Sequence, residues 1–260
     1  MRAGRLLLGA GWKMNKTIRE SVDYTRRLLG LLEGLERSDE TQVFLIPPYT
    51  AIEAVKRASE GKLWVGAQNM HWAESGAYTG EISASMLEEL GVDLVELGHA
   101  ERRRYFNETD ADVNRKVHAA LRHGLRPLVC VGERAEDKRQ GAGKETVRNQ
   151  VRASFADVEA SRASRLIVAY EPVWAIGAEG ADIGMDYVRE VQNQIRATLE
   201  EMLGPSAAAL VPVIYGGDVN LRNAASLVTE SGTDGLFIGR AALQAENFAG
   251  LIYSALQAAG

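Results

Sequence analysis

Eight short apolar runs recur at fairly even intervals along this chain, and no other feature restricts its fold as much. They occupy residues 6–9, 43–46, 63–67, 94–97, 127–131, 166–169, 211–214 and 235–238. Runs of this kind mark strands covered on both faces, as parallel strands are. The stretches between them carry helical periodicity: Val188, Val191, Ile195, Leu199 and Met202 fall on one face at steps of three and four. Thr17 with Glu20 has the pattern of a capping box ahead of the first helix. His123 and Gly124 supply a cation and then a stop at the end of the fourth, which gives His123 a structural explanation, and His118 on the same helix reads as a surface or packing residue.

Eight strand–helix units within 260 residues predict one α/β domain over residues 1–260, a closed (β/α)₈ barrel with an eight-stranded parallel sheet. The competing architecture is an open doubly wound sheet, but no GxGxxG follows the first strand, where Gly9-Ala10-Gly11-Trp12-Lys13 runs into polar residues. Lys and Arg total 30 against 35 Asp and Glu, a net charge of -5, so there is no global positive field to hold a nucleic acid or an anionic membrane. Any anionic ligand must be gripped locally. The apolar run near the N-terminus is too short for a signal or a membrane span. The lone Cys130 lies in an apolar strand, cannot form an internal disulfide, and reads as a packing thiol rather than a nucleophile. The expected location is the cytoplasm.

Barrels of this architecture build their sites just past the C-terminal ends of the strands. Lys13 follows the first strand, His99 the fourth and Glu171 the sixth. Singly each has a bland reading, as a solvated lysine, a hydrogen-bonded histidine or a salt-bridged carboxylate; at one end of one barrel they suggest a shared site. Pro172-Val173-Trp174 gives Glu171 an apolar setting that raises its basicity, which suits a carboxylate taking a proton from carbon. His99 opens a helical turn whose dipole favours a neutral imidazole able to donate, and Lys13 supplies positive charge beside a developing enediolate oxygen. Gly177, Gly216, Gly217 and Gly239 follow strands six, seven and eight, where converging backbone amides make a phosphate site. A metal-dependent aldolase or hydrolase is disfavoured, since no His/Asp/Glu ligand cluster is evident at strand ends and neither metal nor organic cofactor is expected.

The segments WKMN (Trp12 to Asn15), AQN with GAYTGEIS (from Gln68 and Gly76), LGHAERR (Leu97 to Arg103), AYEPVWAIG (Ala169 to Gly177), YGG (Tyr215 to Gly217) and DGLFIG (Asp234 to Gly239) together resemble the triose-phosphate isomerase family over nearly the whole chain. The resemblance implies a TIM barrel in which Lys13 and His99 polarise a sugar-phosphate carbonyl while Glu171 shuttles a proton through a cis-enediol. In that family a carboxylate base works beside a neutral histidine, and the resemblance implies the same division between Glu171 and His99. It further implies a lid from Pro172 to about Gly180 and a homodimer whose loop from Asn69 to Thr79 enters the neighbour near Lys13 and Met14. His71 then reads as an interface residue rather than a ligand.

Four positions depart from the common pattern of that family. Gly11 stands where an asparagine contacts substrate oxygen, Ala100 and Asp218 replace serines, and Arg240 replaces a second glycine. A branch that interconverts four-carbon ketose phosphates, such as L-erythrulose 1-phosphate and D-erythrulose 4-phosphate, is similar in AQNMHW, VELGH, DGLFIGR and the missing asparagine. Loss of that side chain is expected to open room for an extra CH₂OH, and Asp218 and Arg240 are expected to pair at the rim of the phosphate site. A tetrulose phosphate is thus the leading substrate and a triose phosphate the alternative. A barrel that binds a sugar phosphate without turning it over is the minor reading.

Overall fold

Strand β1 (Leu7–Gly11) is buried along its whole length, and it pairs in parallel with β2 (Gln42–Ile46) on one side and β8 (Gly235–Ile238) on the other. In the computed structural model, which describes residues 6–35, 41–175 and 183–259, that double pairing closes a cylinder. Its remaining staves are β3 (Trp64–Ala67), β4 (Leu94–Leu97), β5 (Arg126–Val131), β6 (Ile167–Tyr170) and β7 (Val213–Tyr215), in sequence order and all parallel. Among the described residues the α-helices around it are α1 (Ile18–Leu31), α2 (Ile52–Ser59), α3 (Ala84–Glu89), α4 (Ala100–Tyr105), α5 (Asp110–Arg122), α6 (Ala135–Arg139), α7 (Gly143–Ser154), α8 (Met185–Leu203), α9 (Pro205–Ala208), α10 (Ala224–Glu230) and α11 (Ala245–Ala259). The expected (β/α)₈ barrel is the fold observed.

Strand ends are set by backbone pairing rather than by apolarity. The first strand runs on to Gly11, which pairs with Ile46, and the sixth runs to Tyr170, which pairs with Tyr215. The seventh begins only at Val213, because Pro212 has no N–H to give the ladder. The Val213 amide donates instead to Asp234 Oδ2 at 2.8 Å, and Arg196 braces the same carboxylate at 2.9 Å. Thr17 and Glu20 make the expected capping box, and Gly124 follows α5 at φ +69°.

Side chains alternate along each strand between two compartments. Leu8, Val43, Val65, Val95, Val129, Val168 and Val213 join the layer between sheet and helices. Leu7, Phe44, Ile46, Leu94, Leu128, Cys130, Ile167, Ala169, Ile214 and Phe237 fill the cylinder. Cys130 is fully buried there, a packing thiol as expected, and desolvation lifts its pKa well above the ordinary range. The largest inward rings, Phe44 and Phe237, stack with centroids 5.7 Å apart, and β1 makes way for them with glycine. A Cβ on Gly9 would lie 1.9 Å from Phe44 Cζ, and one on Gly11 3.0 Å from Phe237 Cζ.

This complementarity is directly testable. Gly9→Ala should destabilise the fold by about 1–3 kcal/mol, the usual cost of overpacking a filled core, and Phe44→Leu in the same chain should return part of that loss. Urea unfolding of the two single variants and the double variant measures both.

Candidate active site

Lys13, the second residue past β1, sits at φ +51°, a left-handed conformation that costs a lysine on the order of 1 kcal/mol. Gln68 holds it there: its Nε2 donates to the Lys13 carbonyl at 2.8 Å and to Ile46 O at 3.3 Å. The ammonium that this turn presents donates to Glu101 Oε1 at 2.8 Å. Burial works against the charge, but the Glu101 hydrogen bond and the negative fields of Glu101, Glu171 and Glu96 outweigh it, so the Lys13 pKa is raised.

His99 is the N-cap of α4, and its Nδ1 accepts the Glu101 backbone N–H at 3.2 Å. An accepting nitrogen carries no proton, so the hydrogen bond assigns the ring proton to Nε2. Nε2 lies 3.5 Å from Glu171 Oε2. Glu171 follows β6 directly, with its amide tied to Val131 O at 2.7 Å and its side chain buried. Among the described residues Oε2 has no hydrogen-bond partner. Desolvation raises the Glu171 pKa against the opposing pull of His99 and Lys13. A buried carboxylate oxygen left unsatisfied beside two donors is an oxygen arranged to receive a proton.

The base has little freedom. A Cβ on Gly216 would lie 2.8 Å from Glu171 Oε1, and one on Gly132 would strike the Glu171 carbonyl at 1.9 Å. Beyond it, buried Glu133 accepts from Trp174 Nε1 at 2.8 Å, Tyr170 OH at 3.1 Å and Tyr187 OH at 3.2 Å, which anchors the turn Val173–Ala175.

Lys13, His99 and Glu171 line one cavity of about 240 Å³ together with Gly11, Gly216, Gly217, Asp218, Gly239 and Arg240. Nine of the ten site residues expected from sequence therefore meet in one place. The tenth, Gly177, lies outside the described residues, as does the part of the expected lid beyond Ala175. The glycines divide by role. The Gly216 amide is already spent on Tyr170 O at 2.9 Å, so this residue gives clearance to Glu171 instead of an amide to an anion. The Gly217 and Gly239 amides have no partner among the described residues and are open to a phosphate.

The other singled-out residues have close neighbours. Gly11 lines the cavity, and a Cβ built on it would lie 3.0 Å from Phe237 Cζ, so that ring bounds the room beside it. Asp218 Oδ2 accepts from Asn220 Nδ2 at 2.9 Å. His71 is packed within its own loop between the rings of Trp72 and Tyr78, each centroid 4.1 Å away. His118 Nε2 meets Ala156 O at 2.9 Å, and His123 lies between Glu74 and Glu88, both structural contacts. The expectation that no metal-ligand cluster exists is corrected: donor atoms of Glu96, His99 and Glu171 lie within 4.8 Å of one another. Glu96 and His99 come from one strand and the loop after it, barrel closure brings Glu171 to them from β6, and His99 and Glu171 already have proton-handling geometry.

Sequence reasoning missed Glu96, Glu101, Gln68 and Phe237. Glu96 is the telling omission, since a carboxylate inside the apolar run Leu94-Val95-Glu96-Leu97 is itself an anomaly.

A family model described as triosephosphate isomerase matches residues 6–255. The chain is 46% identical over 243 residues to an L-erythrulose-1-phosphate isomerase of Mesorhizobium japonicum, covering 93% of each chain. A protein of the same name from Brucella abortus is 44% identical, again over 93% of each. A triosephosphate isomerase of Acetivibrio thermocellus is 42% identical over 94% of this chain and 96% of its own.

Two outcomes follow from the packing and the charges. Gly216→Ala should push the Glu171 side chain off its position, since the new methyl would lie 2.8 Å from both its Cγ and Oε1, and lower kcat by roughly 10- to 100-fold; steady-state kinetics on folded protein, checked by a melting curve, measure it. Burial, aided by Glu171 and opposed by His99 and Lys13, lifts the Glu96 pKa to about 7. A carboxyl raised on folding penalises the native state nowhere below its unfolded pKa near 4.5, and fully above about 7. Glu96→Leu should accordingly gain stability over the parent between pH 4 and pH 8 by on the order of 2–3 kcal/mol, read by urea unfolding at both values.

Proposed function

Because this chain belongs to the triosephosphate isomerase family and is an isomerase, we propose that it moves a proton between adjacent carbons of a small phosphorylated ketose, with a four-carbon ketose phosphate as substrate. The observation that carries this reading is the meeting, in one cavity, of an unsatisfied buried carboxylate, a histidine Nε2–H and a lysine ammonium. In L-erythrulose 1-phosphate the carbonyl is at C2 and the acidic hydrogen at C3. Lys13 and the Nε2–H of His99 stabilise charge building on the carbonyl oxygen while Glu171 removes the C3 proton. The enediolate then takes that proton at C2, the hydroxyl proton moves between the two oxygens, and the product is D-erythrulose 4-phosphate, with nothing gained or lost. The open amides of Gly217 and Gly239 hold the phosphate, and Arg240 adds positive charge on the same wall.

Two relatives named for L-erythrulose-1-phosphate support the four-carbon reading. The relative named triosephosphate isomerase supports the alternative, interconversion of dihydroxyacetone phosphate and glyceraldehyde 3-phosphate. Family membership and the exposed apolar side chains of Met14 and Tyr78 support a homodimer, and a lone buried thiol suits a cytoplasmic setting. No helix among the described residues is long and apolar enough to cross a membrane.

Proton exchange in D₂O, followed by NMR over a panel of three- and four-carbon sugar phosphates, tests the reading without prior choice of product. Deuterium should enter C3, the hydroxyl-bearing carbon beside the carbonyl, of both L-erythrulose 1-phosphate and D-erythrulose 4-phosphate, and the dephosphorylated sugar should be inert because phosphate binding energy is needed for turnover. Glu171→Gln should lower the rate at least ~10²- to 10⁴-fold. Exchange confined to triose phosphates establishes the alternative, and binding without exchange establishes a non-catalytic barrel.

A further inference from the structure

Glu96 is a carboxylate where the barrel interior has every reason to hold a hydrocarbon. It projects inward from within β4, in register with Leu128, among the side chains that fill the cylinder. Among the described residues it has no ion pair within 4 Å, and its side-chain hydrogen bond is the weak one from Cys130 Sγ at 3.8 Å. A leucine or valine here would fill the same space without the desolvation cost. The carboxylate is nevertheless on the cavity wall with Lys13, His99 and Glu171.

Position decides what it can touch. His99 and Glu171 stand just past the ends of their strands, whereas Glu96 comes from inside one, so it forms the floor beneath them. The phosphate amides lie on the loops after β7 and β8. A substrate anchored at those loops with its acidic carbon against Glu171 points its far end at this floor. Triose and tetrulose phosphates differ at that end alone: the four-carbon sugar carries an added CH₂OH on the carbon that gives up its proton. The hydroxyl oxygen is two bonds beyond a carbon in contact with Glu171, and a Glu96 oxygen lies within 4.8 Å of both a Glu171 oxygen and a His99 nitrogen.

Resting on the four-carbon reading above, we propose that Glu96 is the specificity-determining residue of this site, its carboxyl hydrogen-bonding the terminal hydroxymethyl group of a tetrulose phosphate. A hydroxyl both donates and accepts, so it satisfies the carboxyl in either protonation state, which matters for a group poised near neutrality. A triose phosphate leaves the buried carboxyl without that partner, a loss that discriminates more strongly than an unfilled apolar space.

The test pairs a change in the enzyme with a change in the substrate. kcat/KM is measured for the wild type, Glu96→Gln and Glu96→Leu on L-erythrulose 1-phosphate, its 4-deoxy analogue and glyceraldehyde 3-phosphate. The wild type should prefer the parent ketose to the 4-deoxy analogue by on the order of 10- to 100-fold. Glu96→Leu should lose that preference by slowing on the parent alone, and Glu96→Gln should keep most of it, since an amide also binds a hydroxyl. Equal losses on all three substrates in Glu96→Leu would make Glu96 a general support of the site and overturn the proposal while leaving the four-carbon reading intact. A wild type that accepts the 4-deoxy analogue as well as the parent overturns it without any variant having to fold. A wild type active on glyceraldehyde 3-phosphate and inert toward erythrulose phosphates overturns both.

Discussion

Closing eight parallel strands into a cylinder sends every second side chain into one enclosed column, and the rest of this molecule follows from how that column is filled. Its lower part is hydrocarbon, built from Leu7, Leu94, Leu128, Ile167, Ile214 and the stacked rings of Phe44 and Phe237. The rings fit because β1 offers Gly9 and Gly11 opposite them. Where the strands end, the column is topped by Lys13, His99 and Glu171, so these polar groups stand on a rigid apolar base. A precise floor beneath a charged ceiling lets side chains from distant parts of the chain keep fixed mutual distances.

The ceiling is an electrostatic balance. One ammonium serves several carboxylates: Lys13 pairs with Glu101 at 2.8 Å and also feels Glu171 and Glu96. Burial raises both Glu171 and Glu96, which keeps the base strong and the floor carboxyl near neutrality. His99 enters as a donor because a backbone amide has claimed its other nitrogen. Each group's state is thus set by a neighbour instead of by its own chemistry, which is how proton transfer at carbon becomes feasible near neutral pH.

The fold and the residues that gather in the cavity were legible in sequence because both leave strong local signals. Apolar runs that bury both faces of a strand mark the staves, and polar residues just past their ends stand out against them. What escaped were relations across the cylinder. Nothing adjacent to Gly11 in sequence says that Phe237 packs against it, and nothing adjacent to Gly216 says that its amide is spent on Tyr170 while its missing side chain makes room for Glu171. Gln68, which holds Lys13 in its left-handed turn, is likewise a partner from another strand's end. Glu96 alone had a local signal, a charge in an apolar strand, and it was hidden by being read as part of the run.

The seam of the cylinder joins the first strand to the last, with Leu7 beside Gly235 and Ala10 beside Ile238. Lys13 and the Gly239 amide stand on the two sides of that seam. During synthesis the lysine emerges from the ribosome early, and the loop that faces it emerges almost at the end. A growing chain can stack most of its strands and helices, but it holds no assembled site until its final strand docks against its first. Recovery of turnover during refolding is therefore a clock for barrel closure, and it lags the return of helical signal by the time the seam takes to zip.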